Sequence, residues 1–143
     1  MEDLDAAIDR YHNAAAEFIK GNPAPFEMMF SHADDVSVAN PFGPVACGWP
    51  DVSSTIERAS ALYRDGEIVG FETLVTYSTP ALAFIVEVER FKARVAGSND
   101  LVSVALRTTS ILRPEGDGWK VMHRHADPIT SARPPESVIR AAG

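Results

Sequence analysis

The alternation of hydrophobic and polar positions changes period once along the chain. Leu4, Ile8, Tyr11, Ala15 and Phe18 recur at spacings of four and three, which predicts a helix with one buried face. "KGNP" stops it, with Gly21 as a left-handed cap and Pro23 beyond. Pro25 suits the first turn of a short helix carrying Phe26, Met29 and Phe30. Val36 and Val38 alternate with Asp35 and Ser37, a short strand running into the turn "NPFGP". Helical spacing returns at Val52, Ile56, Ala59 and Tyr63, with Asp51 placed to cap the start and Gly66 to close the end. From there the period is two. Residues 67–79, 81–97, 100–113 and 118–127 read as four strands, separated by "STP", "GSND" and "PEGDG".

Helices first and strands afterwards predict an α+β fold, with N-terminal helices packed on one face of an antiparallel sheet. Strands this long must twist, so the sheet curves strongly into a cone whose concave side forms an interior pocket. A chain of 143 residues makes one domain over 1–143, with its core at 1–127 and a Pro-rich tail at 128–143 that has room for a helical turn after Pro135. The net charge of −7, with no basic cluster to offset it, argues against nucleic-acid or anionic-membrane partners. No apolar run approaches the roughly 20 residues that span a bilayer, and the acidic start "MEDLDAAIDR" is not a signal peptide. The one cysteine, Cys47, excludes an internal disulfide and argues against a cysteine-based zinc site. The expectation is a cytoplasmic protein without a cofactor.

Candidate chemistry gathers in the last strand, "GWKVMHRHAD". Strict alternation sends His123, His125 and Asp127 to one face together with Trp119 and Val121. A three-residue turn at residues 97–99 sets Glu89 opposite Arg107, Glu87 opposite Thr109 and Ile85 opposite Ile111. A two-residue turn would oppose Arg90 to Arg107, which like charges disfavour. Pairing Arg113 with Trp119 then brings Thr109 opposite His123 and Arg107 opposite His125. This register predicts a cone with Glu87, Glu89, Arg107, Thr109, His123, His125 and Asp127 at a polar end, and Ile85, Ile111, Val121 and Trp119 at an apolar one. A slip of one residue would exchange the faces. The other face, with Val86, Val88, Leu112 and Met122, is the expected homodimer surface.

Two readings of the polar end stand side by side. Imidazoles titrate near neutrality, so His125 with Asp127 is the candidate catalytic pair, and Asn40, Glu89, Arg107, Thr109, His123 and Trp119 are candidate contacts for a small, partly apolar ligand. The same residues also suit a hydrogen-bonded polar patch without chemistry. A metal site is not expected, because three ligands at every second position of one strand span about 13 Å.

Order and motifs resemble the nuclear transport factor 2-like superfamily, the SnoaL-like or ketosteroid isomerase-like cone. The likeness rests on "FSHADDVSVANPFGPVACGWPDV", on "LRTTSILRPEGDGWKVMHRHAD" and on the opening helix that ends at Gly21. Within it, the chain is similar to small bacterial proteins resembling the association domain of calcium/calmodulin-dependent kinase II. The resemblance implies the cone fold and three functions: small-molecule binding with an unassigned reaction, a non-catalytic oligomerisation hub, or isomerase chemistry. For the last, it puts the general base on Asn40, whose amide cannot accept a proton. It puts the oxyanion-binding Asp near Thr109, and the oxyanion-binding Tyr on a small residue of the first helix. An isomerase mechanism is therefore not expected.

Overall fold

The computed structural model describes residues 1–140. Helix α1 covers Leu4–Phe18 and starts at Asp3, whose carboxylate accepts the Ala6 N–H at 2.8 Å. Its buried face is Ala7, Tyr11, Ala14 and Ala15. Gly21, at φ +93, turns the chain out of it. Helix α2, Ala24–Met29, buries Phe26 and Met29 against the same core. Strand β1 (Ser37–Ala39) and the two-residue β2 (Ala46–Cys47) flank the "NPFGP" turn and lead into helix α3, Trp49–Ser60. The long strands are β3 (Tyr63–Ser78), β4 (Ala83–Val95), β5 (Val102–Glu115) and β6 (Gly118–Asp127). A short 3-10 turn, Pro135–Val138, lies in the tail, whose last three residues fall outside the described part. No helix among the described residues is long and apolar enough to cross a membrane.

The sheet order is β2-β1-β6-β5-β4-β3, antiparallel throughout except that β1 runs parallel to β6. The three helices cover one face, and the core between them is built from Tyr11, Phe26, Phe30, Val52, Ile85, Leu112, Trp119 and Val121. Helix α3 is shorter than its hydrophobic spacing predicts. It ends at Ser60, and Tyr63 already belongs to β3. Gly66 therefore does not cap the helix; it lies against the end of α1, where a Cβ would overlap the Ile19 carbonyl. Asp51 sits in the first turn of α3 while Gly48, at φ 84, occupies the cap.

Two features overturn the expected strand register. The β4–β5 ladder ends at Ala93 and Val102, so the connection is longer than the expected turn at residues 97–99, and Arg94 and Val95 pair with β3 only. Arg107 thus faces Val88, Leu106 faces Glu89 and Thr108 faces Glu87, one residue away from the predicted pairing. In β6, the ladder jumps from Leu112–Val121 to Ile111–His123, leaving Met122 as an extra residue. That bulge exchanges the faces of everything after it. Trp119 and Val121 point into the core, and so do Arg124 and Ala126, whereas His123, His125 and Asp127 point to the opposite face.

Candidate functional site

Inside the cone, the bulge delivers Arg124 rather than a histidine. The Arg124 guanidinium donates from Nη1 to Glu89 Oε2 and from Nη2 to Glu89 Oε1, both at 2.9 Å. Its Nη1 also donates to the Tyr11 hydroxyl at 2.5 Å, and that hydroxyl bonds Ser110 at 2.7 Å. The group lies over the rings of Phe26 and Tyr11, 5.2 and 5.8 Å from their centroids. Burial alone would favour neutral arginine, but Glu89 and Tyr11 more than offset it and hold the charge. The same burial raises the Tyr11 pKa. Beside this cluster the fully buried Glu87 accepts from His12 Nε2 and from the Thr73 hydroxyl, each at 2.9 Å. The His12 ring stacks on Phe71 with centroids 3.8 Å apart.

Inside the cone is a chamber of about 30 Å³ bounded by Arg124, Tyr63, Leu106, Ala126 and aromatic rings, space for a water molecule or two. Outside it lies a groove of about 910 Å³ between α3 and the segment from Asn40 to Cys47. Chamber and groove share Asn40, Phe42, Thr55 and Ala59 as walls. Phe42, half exposed, stands between them with its ring 6.0 Å from that of Tyr63. The Asn40 side chain accepts the Phe42 N–H at 2.9 Å and fixes the turn. Arg58 and Asp51 line the groove with opposite charges.

The predicted site residues divide between the two faces. Asn40 lines both cavities, and Glu89 is in the cone. Trp119 is core, 7% exposed, beneath the start of α1. Arg107, Thr109, His123, His125 and Asp127 occupy the face away from the helices. The expected cluster of Glu89, Arg107 and His125 does not form. Arg107 instead chelates Asp127, with Nη2 at 2.7 Å, and His125 Nε2 reaches the same carboxylate at 2.9 Å. Partial burial pushes Asp127 up, but hydrogen bonds from Arg107, the Ile129 N–H and His125 bring it down to about 2. His123 bonds the Ser37 hydroxyl at 2.7 Å. Burial first and His125 second lower its pKa against that bond, so it is neutral at pH 7. Leu112, expected on the dimer face, is fully buried in the core. Among the described residues no three His, Cys, Asp or Glu side chains gather as a metal-binding group.

Sequence reasoning missed Arg124, His12 and Phe42. One signal for Arg124 was present: Ala126 is the small apolar residue of "HRHAD", and it is out of phase with Val121.

A family model described as a SnoaL-like domain matches residues 4–130. Among solved structures the chain is similar to a ketosteroid isomerase-like protein from Erwinia carotovora atroseptica, at 15% identity and a TM-score of 0.72, covering 90% of this chain and 95% of that one. It is similar to a provisionally assigned calcium/calmodulin-dependent protein kinase type II association domain from Thiobacillus denitrificans, at 15% identity and a TM-score of 0.70, over 90% and 96% of the two chains. A provisionally assigned dehydratase of the nuclear transport factor 2-like family from Streptomyces avermitilis matches at 18% identity and a TM-score of 0.70, over 90% and 100%. Likeness at these identities establishes the fold alone. No curated protein matches the sequence.

Proposed function

The chain belongs to the SnoaL-like domain family, and from that and the groove at the mouth of its cone we propose that it binds a small, partly apolar molecule there. The observation that carries this reading is the wall that the groove shares with the chamber behind Phe42, at Asn40, Phe42, Thr55 and Ala59. A volume of about 910 Å³ lies within the range of small-molecule pockets. Apolar walls from Phe42, Val45, Ala59 and Leu62, interleaved with Asn40, Asp51, Ser54, Thr55 and Arg58, suit a molecule with an apolar body and some polar groups. Asn40 in place of a carboxylate speaks against proton abstraction at that position. The test is titration with the neutral fluorophore N-phenyl-1-naphthylamine. Saturable binding is expected, and it should be abolished by Ser54→Trp, which fills the groove from an exposed position on α3. Binding that survives the substitution, or none at all, would overturn the reading.

A second observation favours a homodimer through the opposite sheet face. There Tyr77, Phe84 and Ile111 form one cross-strand row, and Val75, Val86 and Thr109 form the next. Val75 is 46% and Tyr77 50% exposed, so a contiguous apolar patch faces outward. A second copy related by a two-fold axis would cover it with the same patch.

A further inference from the structure

His123 and His125 stand side by side on the outer sheet face, away from both the groove and the buried Arg124 cluster. They extend two cross-strand rows, Phe84–Ile111–His123–Ser37 and Val86–Thr109–His125–Ala39, and so border the apolar patch on its β1 side. Each ring has one nitrogen fixed by a neighbour. His125 Nε2 bonds Asp127 Oδ2 at 2.9 Å, and His123 Nδ1 bonds the Ser37 hydroxyl at 2.7 Å. Among the described residues no protein group bonds the other nitrogen of either ring.

The neighbours also decide which nitrogen carries the proton. Asp127 is tied to Arg107 by Nε at 3.1 and 3.2 Å and by Nη2 at 2.7 Å, and as a carboxylate it can only accept. His125 therefore donates from Nε2, and its neutral ring keeps the lone pair on Nδ1. The Ser37 hydroxyl can accept from His123 Nδ1 in the same way, which puts that ring's lone pair on Nε2.

An imidazole anchored through one N–H, with its other nitrogen bare, is the arrangement that metal-ligating histidines adopt. Alternate positions on a strand set the two Cα atoms about 6.6 Å apart. Two imidazoles can close that span on one ion lying roughly 2 Å from each nitrogen. Three ligands along the strand cannot close, so Asp127 is an anchor for His125 and not a ligand. No third His, Cys, Asp or Glu gathers with the pair among the described residues, which leaves the other positions of the ion to water. Arg107 balances Asp127 locally, and the net charge of −7 favours cations over the chain as a whole.

We propose that His123 Nε2 and His125 Nδ1 bind one divalent transition-metal ion of the zinc, copper or nickel type, with Ser37 and Asp127 as positioning residues. The site is independent of the groove.

The test is titration of the full chain with zinc in a non-coordinating buffer, read by calorimetry and by NMR of the ring nitrogens. One zinc per chain is expected, with the large shifts at His125 Nδ1 and His123 Nε2. His125→Gln should abolish binding. Asp127→Ala and Ser37→Ala keep both imidazoles, and each should weaken binding about tenfold or more. His32→Gln and Cys47→Ser, at exposed positions, should leave the affinity unchanged. No binding, one zinc per two chains, or shifts at the anchored nitrogens or at His32 would overturn the proposal. So would an unchanged affinity in Asp127→Ala or Ser37→Ala, or lost binding in Cys47→Ser. The ring-nitrogen shifts are read on the natural protein and decide the matter even where a variant does not fold.

Discussion

Arg124 on β6 reaches across β5 to Glu89 on β4, and the two share parallel hydrogen bonds of 2.9 Å inside the cone. Tyr11 joins them from α1, so one buried ion pair ties the helical roof to three strands. Removing one member would leave the other charge buried without compensation. Arg124→Met should therefore cost on the order of 3–5 kcal/mol in urea unfolding. The double variant Arg124→Met with Glu89→Leu should recover most of that loss. Equal losses in the single and double variants would show that the pair is not the coupled unit described.

His123 makes stability depend on pH. An unfolded histidine takes its proton near pH 6.5, whereas burial and His125 lower the pKa of His123 in the fold. Between those two values the unfolded state binds more protons, so stability falls as the pH falls through that window. His123→Asn should flatten this slope in denaturant titrations at pH values from about 7 to about 5. An unchanged slope would assign the dependence elsewhere.

Asp127 titrates below a free carboxyl. Its pKa of about 2 means that it contributes stability above the ordinary carboxylate range and loses it only as the pH falls towards that value. A carboxyl carbon titration by NMR should show Asp127 still ionised near pH 3, where an ordinary aspartate with its midpoint at about 3.9 is already mostly protonated. Arg107→Ala should move the midpoint up part of the way towards 3.8 and lower stability at neutral pH, by a small amount because Arg107 is exposed.

The outer sheet face predicts association. Light scattering at micromolar concentration should give twice the chain mass, and Val75→Glu, at a position already exposed in one chain, should give the monomer with its fold intact. A monomeric natural protein would contradict the dimer. A larger ring would point to hub-like assembly.

The helices and long strands were legible because their periods run long enough to be unambiguous, as at Leu4–Phe18 and Ala83–Val95. The side-chain faces were not. Alternation holds within β6 only up to Met122, and one inserted residue sends His123, His125 and Asp127 outward and Arg124 inward. The β4–β5 connection is not a tight turn because the ladder stops at Ala93 and Val102, and Ala96 turns at φ 53, a conformation its sequence does not announce. Tyr63 sits at helical spacing from Ala59, yet Leu62 already bonds Ala96 through its carbonyl, which commits the chain to the sheet.

The most direct measurement of where a ligand sits is an amide chemical-shift titration with N-phenyl-1-naphthylamine. Shifts should concentrate in Asn40–Cys47 and along α3, and should saturate at one ligand per chain. Shifts confined to the outer face around His125 and Asp127, or no saturable shifts, would contradict binding at the mouth of the cone.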